Sequence, residues 1–123
     1  MKRVENYGFT LELQLHSMKA LDDAHAMVGW TTTKTKDEAL RMVKIFVSKG
    51  LVKCGQVNGP IQSCYAWEGK IESTSEWRLT LKFSPTKKKD LEEELLRIHE
   101  YDTPQWLCVT AEAEEKYAAW LNQ

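Results

Sequence analysis

The chain lacks the features of a membrane or secreted protein. None of its apolar runs approaches the ~20 residues that a helix needs to span a bilayer. Its N-terminus has no secretory apolar region, because Leu11, Leu13 and Leu15 are separated by Glu12 and Gln14. From these absences we expect a protein without a membrane partner.

Cysteine is scarce and shows no pairing pattern. The three cysteines, Cys54, Cys64 and Cys108, form no CxxC motif, and their odd number does not suit a disulfide framework. Free thiols suit a reducing compartment. The sequence therefore predicts a cytoplasmic protein.

A strong charge of one sign and a catalytic motif are also missing. The formal net charge is −1, which argues against a nucleic-acid partner. The sequence has no GxSxG, P-loop, GxGxxG or HExxH motif, and its histidines, His16, His25 and His99, are scattered. We therefore predict that the protein is not an enzyme, has no catalytic residues and requires no cofactor.

Two helices are predicted by apolar residues at helical spacing. Thr35 begins the first as part of a capping box, an apolar stripe covers residues 39–47, and Gly50 ends it. Ser84 precedes the second, whose apolar positions lie within residues 91–98. Both helices should pack one face on a core.

The remaining pattern predicts strands and a final helix. Strands are expected at residues 25–32, 52–57, 61–67, 70–83 and 106–111, the last of them in the sheet interior because it is nearly all apolar. The sequence Asn-Gly-Pro at residues 58–60 predicts a kink or bulge before the hairpin. A short helix over residues 114–121 should turn Tyr117, Trp120 and Leu121 inward. The order βαββαβ plus a terminal helix indicates an α+β, ferredoxin-like sandwich with both central helices on one face of an antiparallel sheet.

The domain is expected to span residues 24–123, after an N-terminal extension at residues 1–23. In that extension Phe9 and the leucines at positions 11, 13 and 15 alternate with polar residues. This pattern fits either an additional strand or a tail whose apolar residues dock on the domain.

Residues 61–83 are expected to form a hairpin that is long for the domain. The pair Glu68-Gly69 is typical of a tight turn, and it sets Trp67 opposite Lys70 and Tyr65 opposite Glu72. One continuous strand over residues 70–83 would span about 46 Å at ~3.3 Å per residue. A domain of ~100 residues has a radius of gyration of about 13 Å, so the arm would project beyond the core.

Apolar side chains near the hairpin tip would point both ways. Tyr65 and Trp67 share one face with Ile61, while Ile71 lies on the other. One small domain cannot cover both faces, and exposed aromatic patches mark partner surfaces. Either the arm packs on sister subunits, or residues 72–75 form a loop between two short strands. The pattern alone leaves both interpretations open.

Four segments of the chain resemble the CutA divalent-cation tolerance family. They are residues 65–72 (YAWEGKIE), 79–82 (LTLK), 99–104 (HEYDTP) and 117–121 (YAAWL). The resemblance implies a ferredoxin-like subunit, a tight homotrimer built through the long hairpin, and an association with tolerance of copper and other divalent cations. The chain departs from the family pattern at Trp30, Glu100 and Gln105. Trp30 and Gln105 stand where the family can carry a thiol and a carboxylate.

The functional hypothesis is a ligand cleft between subunits. Its predicted residues are Tyr65, Trp67, Glu72, Lys82, His99 and Tyr101. The two aromatic residues of the arm would wall the cleft, and Lys82 would attract an anion or pair with Glu72. His99 would be the donor for a Cu or Zn ion, although its place at a helix C-terminus, which favours the charged ring, is an alternative explanation for it.

Two further functions compete with this hypothesis. A PII-like trimeric signalling protein that binds a nucleotide or small effector has the same subunit order, but its connection between the second and third strands is a mobile loop. A small hydrolase or isomerase would use His99 with Glu72 or Asp102, and therefore requires these side chains to meet.

Overall fold

The computed structural model describes residues 25–123, so the predicted extension at residues 1–23 lies outside the described residues. The elements are β1 (His25–Thr33), α1 (Lys36–Ser48), β2 (Cys54–Trp67), β3 (Lys70–Phe83), a 3-10 turn (Pro85–Lys87), α2 (Lys88–Ile98), β4 (Leu107–Glu112) and α3 (Glu115–Leu121). The α+β class and the predicted element order are confirmed. No helix within residues 25–123 combines the length and the apolar character needed to cross a membrane.

The four strands form one antiparallel sheet in the order β2-β3-β1-β4. Among residues 25–123, β4 pairs with β1 alone and lies at an edge of the sheet, so the prediction that residues 106–111 lie in the sheet interior is wrong for the described part of the chain. An apolar run indicates that both faces of a strand carry uncharged side chains, but it does not indicate whether other elements of the chain cover those faces. In this chain Leu107 is 62% exposed and Val109 is 50% exposed.

The core lies between the sheet and the helices α1 and α2. Along β3, Leu79, Leu81 and Phe83 alternate with polar residues and are fully buried, as a half-covered strand requires. The buried helical residues that pack with them are Ala39, Met42, Phe46, Leu91 and Leu95.

Local signals account for where these elements begin, end and approach one another. The Thr35 hydroxyl accepts the Glu38 N–H at 3.2 Å, although the Glu38 carboxylate pairs with Arg41 rather than completing the capping box. Gly50, with φ of +70°, follows the helix. At Gly29 an added Cβ would lie 2.4 Å from the Trp106 ring, so glycine lets that ring pack against β1.

The long hairpin is a continuous two-stranded ribbon. Both of its strands contain 14 residues, with Trp67 opposite Lys70 and Tyr65 opposite Glu72, as predicted. The turn has positive φ at Glu68 and Gly69, as a two-residue hairpin requires. Because residues 72–75 belong to β3, the interpretation of that segment as a loop is wrong.

The kink expected at residues 58–60 is confirmed as a register shift in β2 between Asn58 and Ile61. The final helix is only partly as predicted. Ala118 and Leu121 face inward, but Tyr117 and Trp120 stay 38% and 42% exposed, and their rings contact each other at an angle of 44°. The two aromatic side chains therefore pack with each other outside the main core.

Candidate functional site

A hydrogen-bonded cluster of polar residues lies where the hairpin leaves the body of the sheet. His99 caps the C-terminus of α2, and its ring is 8% exposed over the end of β1. Nδ1 accepts the backbone N–H of Tyr101 at 3.0 Å, which leaves the ring proton on Nε2. Nε2 lies 2.9 Å from the Thr32 carbonyl oxygen, to which it donates, and 3.2 Å from Thr31 Oγ1.

These contacts make His99 a neutral, anchored ring. Burial lowers the pKa of His99, and its hydrogen bond to the Thr32 carbonyl only partly opposes this effect. These contacts do not support the explanation that a charged ring is favoured at the helix C-terminus, because Nδ1 accepts a hydrogen bond and burial disfavours the charged form.

Tyr101 connects this ring to the hairpin. Its hydroxyl donates to Glu76 Oε2 at 3.0 Å, and its ring centroid lies 5.0 Å from that of His99. Burial, together with the hydrogen bond to Glu76, raises the pKa of Tyr101 far above its usual value, and the phenol of Tyr65 adds to the effect. We call Thr32, His99, Tyr101 and Glu76 the junction network.

Sequence reasoning missed Glu76, although the chain carried a signal for it. Glu76 is 8% exposed and is the first buried residue of β3 from the tip, immediately before Trp77. Glu76 stands between the polar residues 72–75 and the alternating apolar positions of residues 77–83. A carboxylate at the start of the buried part of a strand needs a hydrogen-bond donor. Arg78, two residues on, has a buried Nε without a partner among the described residues.

One chain does not bring the six predicted cleft residues together. His99 and Tyr101 share the junction network, with Tyr65 in electrostatic range. Lys82 lies ten residues from Glu72 on the same strand, which is about 33 Å. Lys82 is therefore too far from Glu72 of its own chain to pair with it, and the predicted pair stays a prediction for two different copies. A single cleft that holds all six residues requires more than one copy.

The described residues of one chain do not fit a Cu or Zn centre. Both ring nitrogens of His99 are engaged in hydrogen bonds, so neither has a free lone pair for a metal. Within residues 25–123 no group of three or more His, Cys, Asp and Glu side chains is arranged to hold a metal ion. Cys54, Cys64 and Cys108 are free thiols.

The hydrolase or isomerase hypothesis also fails within one chain. The hydrogen bonds of His99 go to β1 and to the Tyr101 amide, not to Glu72 or Asp102. A general base needs an acidic or substrate partner within hydrogen-bond reach. The ring of His99 instead fixes the connection between α2 and β4.

The chain was compared with known proteins by sequence. The family model for the CutA1 divalent ion tolerance protein matches residues 27–123. The divalent-cation tolerance protein CutA of Thermotoga maritima is 30% identical over 95 residues, which cover 76% of this chain and 93% of that protein. The chloroplastic protein CutA of Arabidopsis thaliana is 29% identical over 98 residues, or 79% of this chain. The chain spans 54% of the length of that plant relative.

The solved structures agree with the sequence matches. The crystal structure of CutA1 from Oryza sativa gives a TM-score of 0.77 at 28% identity, and the match covers 81% of this chain and 93% of that one. The matched region includes the sheet, the long hairpin and α3. The chain belongs to the CutA1 divalent ion tolerance protein family.

Proposed function

We propose that the protein acts as a homotrimer in the response to divalent cations, such as copper, and binds an ion or small ligand in clefts between its copies. The observation that supports this proposal most is the hairpin arm. Near its tip Tyr65 is 42% exposed, Trp67 52% and Ile71 83%. Exposed apolar residues on both faces of a ribbon favour a covering partner.

Free sheet edges support assembly through strand pairing. β2 and β4 are the two edges of the sheet, and each has a backbone side that no described strand pairs. Unpaired edges of this length pair readily with another chain. A second copy that adds a strand and covers the arm would satisfy both needs, and the family resemblance implies three copies.

The same assembly would complete the cleft. Tyr65, Trp67 and Glu72 extend away from the body on the arm, whereas Lys82 and Arg78 share, by alternation along β3, the sheet face opposite α1 and α2. An arm laid against a neighbouring copy would bring aromatic walls next to these cationic side chains. The junction network would then set the angle at which each arm leaves its subunit.

The assembly is tested with Ile71→Lys, which places a charge on the most exposed apolar side chain of the arm. In sedimentation velocity the wild type should run at three times the chain mass of 14.2 kDa. The variant should run as a folded monomer, because a buried unpaired charge opposes association. The control is Leu96→Lys, at a 53% exposed leucine on α2, which should leave the trimer intact. A wild-type monomer would contradict the proposal.

A divalent cation would have to take donors from more than one copy. We expect His99 not to be one of them, since its nitrogens already hold the Thr32 carbonyl and the Tyr101 amide. Calorimetric titrations with Cu(II) and Zn(II) should therefore give the same stoichiometry, and affinities within about twofold, for wild type, His99→Gln and the control His25→Gln. Loss of a site in His99→Gln alone would restore His99 as a ligand.

No observation favours the PII-like alternative. Between Cys54 and Phe83 every residue except Glu68 and Gly69 lies in a strand, whereas that alternative calls for a loop. Location in the cytoplasm is proposed from the free thiols. The name of the Arabidopsis relative assigns that protein to the chloroplast.

A further inference from the structure

A cavity of about 500 Å³ lies at the end of the sheet remote from the hairpin tip. The segment after α1, the residues that follow β3 and the helix α3 line it, and it is open to solvent on one side. Its volume is within the range of ~300–1,000 Å³ that is typical of small-molecule sites. None of the predicted cleft residues lines this cavity.

The cavity carries positive charge without a compensating acidic side chain. Lys53 and Lys87 line it, and no Asp or Glu does. Within residues 25–123, carboxylates pair with Arg41, Lys49 and Arg97 but with neither Lys53 nor Lys87, so the charge of these two lysines is not neutralised by an ion pair. A cleft lined by one sign of charge attracts the opposite sign.

The cavity lining also contains aromatic and aliphatic side chains. The Lys53 ammonium lies 5.6 Å from the centroid of the Trp120 ring, and Leu51 and Leu121 continue the apolar wall. The cation–π contact holds the ammonium at the cavity without consuming its charge. An anionic group with a small apolar part would match both halves of the lining.

A pair of hydroxyls supplies one more hydrogen-bond donor. Ser84 Oγ and Thr86 Oγ1 are 2.9 Å apart, and Ser84 Oγ also accepts the Thr86 N–H at 3.3 Å. Two hydroxyls that share one hydrogen bond retain one O–H proton for another acceptor. No described residue takes that proton, and both side chains line the cavity.

We propose that this cavity binds a small phosphate monoester whose organic part packs against Trp120. A phosphate offers three acceptor oxygens and about two negative charges at neutral pH, which match two lysines and a free hydroxyl proton. Lysine binds phosphate as a point charge. The site is separate from the proposed inter-subunit cleft and does not depend on it.

The probe is phenyl phosphate, titrated into the full chain and followed by calorimetry and by the indole N–H signal of Trp120. Binding should be saturable, and Lys53→Gln should weaken it about tenfold, because a hydrogen bond to a charged group is lost. The control Lys44→Gln removes an exposed lysine of α1 that does not line the cavity, and it should change the dissociation constant less than twofold. Inorganic phosphate should bind more weakly, and phenol should not bind.

Equal effects of Lys53→Gln and Lys44→Gln would overturn the proposal, as would phenol binding as tightly as phenyl phosphate, or a wild-type titration without saturation. The titration is repeated on Ile71→Lys to separate this site from the assembly. Retained binding in a monomeric variant supports an independent cavity. Loss of binding there would show that the site needs a neighbouring copy, and would overturn its assignment to one chain.

Discussion

The two halves of β3 have the same backbone structure and opposite surroundings. From Leu79 to Phe83 the strand is covered by helices, and its inward residues are fully buried. Near the tip, Ile71 of the same strand is 83% exposed. The strand continues because β2 pairs with it from the turn to Lys82, with one irregularity between Asn58 and Ile61, not because a core requires it. Pairing of the backbone and burial of the side chains are thus separate requirements. Within one chain the strands of the arm are paired, but their apolar side chains stay exposed.

Glu76 marks the position in β3 where the exposed arm gives way to the buried part of the strand. The exposed arm joins the body at this buried carboxylate, which accepts from Tyr101. His99 in turn holds the amide of Tyr101. The junction network is therefore buried like the body of the domain, and it lies at the point where the arm is attached.

The largest expected effect comes from truncating one apolar residue in each half of the strand. Leu79→Ala should lower the free energy of unfolding by about 3 kcal/mol, since it opens a cavity in a packed core. Ile71→Ala should change it by less than ~0.5 kcal/mol at dilutions where the chain is monomeric. Urea denaturation at two protein concentrations measures both.

At higher concentration Ile71→Ala should become destabilising, because the trimer that covers this side chain is weakened. The cost of Leu79→Ala should remain in both regimes. If Ile71→Ala were as costly as Leu79→Ala in the monomer, the arm would be packed within its own chain. The contrast between the two halves would then be lost.

An intermediate effect is expected from the bond that fastens the arm to the body. Tyr101→Phe removes the donor to the buried Glu76 carboxylate and should cost about 1–3 kcal/mol of unfolding free energy. The matched control is Tyr117→Phe at a 38% exposed tyrosine, which should stay within about 0.5 kcal/mol of wild type. Equal costs for both variants in urea denaturation would mean that the Tyr101 hydroxyl does not hold the junction.

The sequence was sufficient for features that depend on local chemistry. Thr35, Gly50 and the Glu68-Gly69 turn mark element ends through capping and positive φ, and those positions agree with the structure. The hairpin register followed from the length of the turn. The residues of β3 that alternate with polar ones, Leu79, Leu81 and Phe83, form its buried side.

Features that depend on distant contacts were not predictable in this way. The apolar pattern of β4 does not record whether it has one neighbouring strand or two, so its edge position was missed. Glu76 and Thr32 become parts of a site only because the connection after α2 folds back over the end of β1. For the same reason, the spacing of His99 could not show that both of its nitrogens are occupied.

The smallest effect is a pH dependence that originates at the junction. Because the folded-state pKa of His99 lies below its unfolded value of 6.5, its contribution to stability is complete above that value. The contribution is lost as the pH falls towards the folded-state pKa. His99→Gln should therefore reduce the difference in unfolding free energy between about pH 7.5 and about pH 5.5.

Hydrogen exchange at a single amide can show whether this pH effect acts at the attachment of the arm. Protonation turns Nδ1 of His99 from an acceptor into a donor, so the hydrogen bond from the Tyr101 amide must break. Hydrogen exchange of that amide, corrected for its intrinsic pH dependence, should accelerate at low pH before exchange at Leu79 does. If both amides lost protection together, the junction would open only with the core, and the arm would have no separate attachment.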